Sequence, residues 1–462
     1  VTDIDFTQRK VQLAQGSRRI PQFRPYDHLV LALGQRTILE RFPGFAEHSF
    51  CLRDLANAHE LRNHVLQCLE HADVTENPDL KRSLLTFVVA GAGFSGVEIA
   101  GELHEMLERA LPMYPNIQSG ELNTILVQRG QQILPELPAK LGDYAAAQLT
   151  QRGLTVRYGT SLQHATANAV YTTDGERLPT HTLITTIGNG PTRLIEQLGL
   201  PLERGRVIAS AQMQVPDLEG VWALGDSAFI PMGADCAPTT AQFALAQAPV
   251  LARNIVATQL GQPTRPFNYK PRGTMASIGH YRAVADVFGW RVSGLPAWLL
   301  WRAFYIGLLP GFPTRLRVAL NWLFDYFLPR SIVQVKTTGQ PAARVVHYAA
   351  GDVLFAPGQI VDGFYTIIEG TLESRVPQAH QENDFVRVLG PGDHWGERCL
   401  TDGNQTLGWL TAVEDCTVLL LQAGDFARLR HGLAPLRDYL DRIPEKIYPP
   451  VLRHDLQNDE RH

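Results

Sequence analysis

The chain has 462 residues, 45% of them hydrophobic and 19% charged, with a formal net charge of −4. That length allows roughly three domains with sizeable cores, and the mild acidity without a long basic run argues against a nucleic-acid partner. Five cysteines, at 51, 68, 236, 399 and 416, form no C-x-x-C pair and are odd in number, which argues against a disulfide scaffold or a zinc site and reads as reduced, mostly buried thiols.

Val1 to Asp5 and Lys10 to Leu13 read as a hairpin, and Tyr26 to Gly34 as a buried strand ending in a glycine turn. These are late pieces of a fold, so the pattern predicts an N-terminal truncation. From Leu55 to His71 leucines and alanines recur at helical spacing, and a polar stretch from Asp73 to Arg82 leads into the next strand. That strand opens Phe87-Val-Val-Ala-Gly91-Ala-Gly93-Phe-Ser-Gly96-Val-Glu98, an apolar run, three spaced glycines and a helix. Gly91 permits the tight turn, Gly93 lets backbone N–H groups approach a pyrophosphate, and Gly96 lets the helix pack close to the sheet, so a dinucleotide is expected at this helix N-terminus. Asn123 to Gln128 gives a second strand and Gly153 to Tyr158 a third, with a helix between them from Tyr144 to Arg152. Alternating strands and helices predict a parallel, doubly wound sheet. A further strand from Leu183 runs to Gly188 and Gly190, and Val221 to Asp226 ends in Gly225-Asp226. Asp226 is placed either to hydrogen-bond a ribose or ribityl hydroxyl or simply to cap its turn.

The order of Tyr26 to Gly34, Gly91 to Glu98, Ala223 to Asp226 and Ala241-Gln242 resembles the type II NADH dehydrogenases, flavoenzymes that pass electrons from NADH to a membrane quinone. The resemblance covers roughly residues 1 to 335. It implies an α/β fold of two Rossmann-like dinucleotide-binding domains, the FAD domain lacking the first fingerprint that normally holds the flavin pyrophosphate. Gly34, Gly225 and Asp226 are the FAD elements that remain. NADH is implied at Gly91, Gly93, Phe94, Ser95, Gly96 and Gly188. Glu98 matches a glutamate beside the nicotinamide and flavin, with a role in orienting the ring or handling a proton, whereas without the resemblance it is a first-turn carboxylate that favours the helix dipole.

The second strand departs from the pattern. Where the family carries an acid for the adenosine ribose, this chain has Gln128 followed by Arg129, which removes the repulsion of a 2′-phosphate and admits NADPH beside NADH. Ala241-Gln242 resembles the segment that opens the helix beneath the flavin, and makes Gln242 the stronger quinone residue. The second glutamine of that motif is expected four positions on, where this chain has Ala246; Gln247 follows one later, about 100° around a helix. Two segments, Ala297 to Leu309 and Arg315 to Phe327, are too short and too charged to span a bilayer, which needs about 20 apolar residues. They read as interfacial amphipathic helices, with Trp298, Trp301 and Trp322 at the interface and Arg302, Arg315 and Arg317 reaching lipid phosphates, or else as a packed hairpin or dimer contact.

From Lys336 onward, short strands separated by Gly351, Gly358, Gly370, Gly392 and Gly396 read as an all-β roll. It resembles the cyclic nucleotide-binding domains, in which the counterpart of Glu397, beside Gly396, holds the ribose. The arginine expected nine positions later, which pairs with the cyclic phosphate, is Thr406 here, and a neutral Thr supplies no bidentate partner, so the resemblance extends to the fold and not to the ligand.

The resulting expectation divides the chain at 1–82 (partial FAD-binding domain), 83–208 (NAD(P)H-binding domain), 209–262 (second FAD segment with the quinone helix), 263–335 (membrane-associated region), 336–445 (cyclic nucleotide-binding-like roll) and 446–462 (tail). It describes an FAD-dependent NAD(P)H:quinone oxidoreductase, peripheral on the cytoplasmic face of a membrane, with Glu98 and Gln242 as catalytic residues, Gln128 and Ala241 in the cofactor sites, no metal, and a homodimer as one arrangement. The alternatives are an NAD(P)H-sensing regulatory protein built on the same core, and a soluble ferredoxin- or disulfide-reductase-type flavoprotein, disfavoured by the missing C-x-x-C.

Overall fold

The computed structural model describes residues 1–15, 20–271, 273–327, 343–377, 384–402 and 405–432. It opens with an antiparallel meander, Asp3–Asp5, Lys10–Gln15 and Ile20–Pro25, one strand more than the expected hairpin. Strand β1, Leu29–Leu31, follows. Helix α1, Leu55–Val74, begins where the Asp54 carboxylate accepts the Asn57 N–H at 2.8 Å, satisfying one of the donors that every helix start leaves open. Its buried face, Leu61, Val65, Leu69 and Ala72, keeps the spacing of three and four that the sequence shows. The polar stretch after it holds a helix the sequence reading missed, Pro78–Leu84, started by Asn77 accepting from the Asp79 and Leu80 N–H groups and by Pro78 at its first position.

Strand β2, Thr86–Ala90, is buried along its whole length and runs through the glycine turn into helix α2, Phe94–Ala110. Strand β3, Asn123–Val127, is connected by helix α3, Ala139–Gln151, to strand β4, Thr155–Arg157, and strand β5 is Thr182–Thr185. With Ser49–Phe50 these strands make one five-stranded parallel sheet, in the order Ser49–Phe50, β5, β2, β3, β4. Helices α1 and α2 cover one face, with Leu61, Val65, Val97 and Leu107 in a common core. Phe45, Leu162, Val170 and Leu178 cover the other. Burial on both faces is what the unbroken apolar runs of β2 and β3 require.

Strand β6, Val221–Ala223, pairs in parallel with β1, and helix α4, Ala241–Gln259, follows. The packing moves two expected boundaries. Ser49–Phe50 and α1 belong to the five-stranded sheet's core, well before residue 83. Ile195 and Val207 pack with Leu31 and Trp222, before residue 209.

A second meander, β7 (Gly273–Ser277), β8 (Ala283–Val287) and β9 (Trp290–Gly294), leads into two helices, α5 (Leu295–Leu308) and α6 (Phe312–Phe327). Beyond them lies the expected roll, two four-stranded antiparallel sheets around Val346, Tyr365, Leu372, Leu410 and Val418. Residues 336–342 and 433–462, including the expected tail, lie outside the described residues. The roll is bonded to the nucleotide half: the Ala167 N–H donates to the His347 carbonyl at 2.9 Å, the His347 N–H to His48 Nε2 at 3.0 Å, and Arg177 pairs with the buried Asp352 at 2.9 Å.

Candidate functional site

The three glycines of the β2–α2 turn are each required for a different reason. Gly91 sits at φ 97°, and a Cβ there would lie 2.7 Å from Ile187 Cγ2 and Thr186 Oγ1. A Cβ on Gly96 would lie 1.7 Å from the Gly91 carbonyl oxygen, so helix and turn touch backbone to backbone. At Gly93 the nearest atom is Glu136 Oε1, 3.9 Å away, which leaves this position open at the N-terminus of a 17-residue helix. An open glycine with free N–H groups at a helix start is a place for a phosphate. Phe94 and Ser95 follow it at the first helical positions, Ser95 exposed. Gly188, at φ 86°, accepts the Ile38 N–H through its carbonyl at 2.6 Å on the neighbouring strand end.

Gln128 ends β3 beside this turn, and both ends of its amide are engaged. Oε1 accepts the Ala92 N–H at 3.4 Å, and Nε2 donates to the Gln132 carbonyl at 2.9 Å. Leu134 N–H adds a bond to the Ala92 carbonyl at 2.8 Å. The segment after β3 is thereby laid against the glycine turn and brings Glu136 to it, a neighbour that eight residues of irregular chain hid from the sequence. Arg129 is exposed at the same edge.

Glu98, one turn into α2, is mostly buried. Burial raises its carboxyl above the ordinary range, and the Ser277 N–H, donating to Oε1 at 3.1 Å, acts in the opposite direction. It lines a cavity of about 470 Å³ together with Glu102, Leu61, Met106, Trp301 and Trp322. At the other end of β7, Gln242 Nε2 donates to the Gly273 carbonyl at 3.3 Å. Five-residue β7 therefore carries Glu98 at one end and Gln242 at the other, a span of about 13 Å. The Ser277 contact joins residues 179 apart in the chain, and no local pattern announces it.

Gln247 is placed differently from the expected quinone contact. It is 1% exposed, and its Oε1 accepts the Gly225 N–H at 2.7 Å, so it holds the β6 turn from beneath. Ala241 is exposed at the first turn of α4.

The residues present fit the flavin that the resemblance implies. Gly34 and Gly225, at φ 64° and 69°, follow the ends of the paired strands β1 and β6, where doubly wound sheets bind nucleotides. A Cβ on Gly34 would meet nothing within 4 Å, and one on Gly225 only Ala244 Cβ at 3.5 Å. Asp226 beside them is half-buried, which raises its carboxyl, while the Arg206 guanidinium lowers it. Arg206 is itself buried, donating to the Ala237 carbonyl at 3.0 Å and to Cys236 Sγ at 2.8 Å.

The two C-terminal helices present part of the expected surface and withdraw Arg302 from it. Arg302 is held 3.8 Å from the Trp322 ring centroid and 4.5 Å from that of Trp298, so it is turned into the hairpin rather than toward lipid. Arg315 Nε donates to the Leu309 carbonyl at 2.9 Å. Leu299, Phe304, Leu308, Leu316, Leu320 and Phe324 face outward, and the expected Arg315 and Arg317 are exposed with them. Among the described residues no helix is long and apolar enough to cross a membrane.

In the roll, Glu397 is 4% exposed and burial raises its carboxyl. Thr406 is also buried, and its hydroxyl donates to the Ala356 carbonyl. It offers no cation to a phosphate.

The family described as pyridine nucleotide-disulphide oxidoreductase matches residues 1–248, the NDH2 C-terminal domain matches 272–331, and the cyclic nucleotide-binding domain matches 345–431. The type II NADH:quinone oxidoreductase Ndh of Mycobacterium tuberculosis is 31% identical over 333 residues, covering 69% of this chain and 71% of that protein. The demethylphylloquinone reductase NdbB of Synechocystis is 32% identical over 332 residues, covering 70% and 76%. The structure of NDH2 from Plasmodium falciparum in complex with NADH has the same fold at a TM-score of 0.66, with 16% identity over 72% of this chain and 84% of that one.

Proposed function

We propose, for a chain that belongs to the pyridine nucleotide-disulphide oxidoreductases and within them to the type II NADH:quinone oxidoreductases, a division of the work between its residues. The protein is an FAD-dependent NAD(P)H:quinone oxidoreductase. Bound FAD supplies the chemistry of accepting a hydride and passing electrons on; the chain supplies position, charge and exclusion of water. The open Gly93 at the start of α2 receives the dinucleotide pyrophosphate. Asp226, with Gly34 and Gly225, holds the flavin. Glu98, whose carboxyl is raised by burial, orients the nicotinamide side and handles a proton when quinone is reduced, and Gln242, tied to β7, positions the quinone.

The observation that carries this reading is the attachment of Glu98 and Gln242 to opposite ends of β7, which ties the two residues to one five-residue strand. The exposed leucines and phenylalanines of α5 and α6 support a peripheral seat on the membrane, where a quinone resides. The buried neutral Thr406 supports a roll that does not take up a cyclic nucleotide phosphate.

The test is a visible spectrum of the full chain after incubation with FAD and desalting, followed by NADH and then a short-chain quinone. Retained flavin absorbance that bleaches with NADH and returns with quinone is the expected result. Flavin that is retained but stays oxidised under NADH would sink the assignment of the nicotinamide side.

A further inference from the structure

Position 128 is where a Rossmann sheet normally offers a carboxylate to the adenosine 2′- and 3′-hydroxyls. Gln128 does not stand in for it. Its Oε1 takes the Ala92 N–H of the glycine turn at 3.4 Å and its Nε2 donates to the Gln132 carbonyl at 2.9 Å, so each end of the amide is tied to backbone. The next residue is the cation. Arg129 is exposed, directly after the carboxyl end of β3, and its turn is fixed on two sides by the Gly159 N–H donating to the Gly130 carbonyl at 3.2 Å and the Gln128 N–H to the Arg157 carbonyl at 2.8 Å.

From these placements we infer that Gln128 is a brace for the glycine turn and that Arg129 is the residue that selects the dinucleotide, by pairing with an adenosine 2′-phosphate. The chain then takes NADPH at least as well as NADH. The charge balance follows from simple electrostatics: the carboxylate that would repel a 2′-phosphate is absent from the strand end, and a guanidinium presents paired N–H donors suited to phosphate oxygens. Glu136, whose Oε1 lies 3.9 Å from a Cβ placed on Gly93, faces the pyrophosphate side of the loop and is the competing determinant. The inference rests on the glycine turn being the NAD(P)H site, as proposed above.

A binding experiment on the full chain separates the two readings without turnover. Isothermal titration with 2′,5′-ADP and with 5′-ADP reports the 2′-phosphate contact directly. The 2′,5′-ADP should bind at least as tightly as 5′-ADP, and Arg129→Ala should weaken 2′,5′-ADP by about tenfold or more while leaving 5′-ADP within about twofold. Gln128→Ala, which removes the brace, should weaken both ligands alike. An unchanged affinity of Arg129→Ala for 2′,5′-ADP overturns the inference, as does a wild-type preference for 5′-ADP by tenfold or more. So does a ratio that moves with Glu136→Gln and not with Arg129→Ala. Failure of either ligand to bind at all removes the nucleotide site itself, and flavin retention with quinone reoxidation then reports on the rest of the proposed function independently.

Discussion

Glu98 shows how a single side chain acquires a property that its neighbours in sequence do not supply. A carboxylate one turn into a helix is ordinarily stabilised by the helix dipole, yet here burial wins and raises its pKa. Because the folded value lies above the unfolded one, the charged form costs stability, and that cost appears as pH rises through the carboxylate range. Glu98→Gln should therefore raise the melting temperature relative to wild type at pH 8 and leave it nearly unchanged at pH 4. It should also lower kcat more than it raises KM for NADH. Equal melting differences at both pH values would mean that Glu98 ionises at no cost. The glycines of the turn were legible because their reasons are local: a left-handed φ, a close helix, an open face. The partners of Glu98, Gln128 and Gln247 were not, since each is fixed by a backbone group that folding delivers from elsewhere: Ser277 from 179 positions away, Ala92 from 36, Gly225 from 22.

At the scale of elements, the two C-terminal helices were readable to within a few residues, because their apolar residues recur at helical spacing. Their outward chemistry was not. Trp298 and Arg302 are four apart and meet on one helix face, but Trp322 closes on the same guanidinium from the other helix, a contact that depends on the hairpin's crossing. The membrane reading therefore loses Arg302 and Trp322 and rests on the exposed leucines with Arg315 and Arg317. Replacing Leu316, Leu320 and Leu323 together by Asp should reduce co-sedimentation with liposomes by at least about tenfold, since each buried leucine is worth about 1.5–3 kcal/mol. Because Leu316, Leu320 and Leu323 are exposed, the glycine turn should keep its affinity for NADH. Co-sedimentation that survives the triple change would assign this face to a protein contact instead. The helix Pro78–Leu84 was missed for a related reason: with few apolar positions, its signals are the Asn77 cap and Pro78 alone.

The whole molecule joins a nucleotide-binding half to a roll through a contact that depends on protonation. The backbone N–H of His347 donates to His48 Nε2, so that nitrogen must carry a lone pair, and a protonated His48 would turn a second N–H toward the first. Burial, with His347 and Arg344 nearby, lowers His48 to about 3; burial likewise lowers His64 and His181 to about 4. All three folded values lie below the ordinary 6.5, so the unfolded chain binds more protons as pH falls, and stability is lost from about pH 6.5 down toward 4. Each such histidine contributes roughly 1.4 kcal/mol per pH unit in that window. His48→Gln keeps an acceptor oxygen for the His347 N–H and cannot be protonated, so it should flatten the fall in melting temperature between pH 7 and pH 5. A fall as steep as that of the wild type would show that the roll stays docked with His48 charged. The outcome bears on function as well as stability: His48 closes the short helix Phe45–His48, which runs directly into Ser49–Phe50 at the edge of the nucleotide-binding sheet. Acid that loosens the roll therefore acts on the same sheet that carries the glycine turn, and NADH affinity should weaken over the same pH window in the wild type and less in His48→Gln.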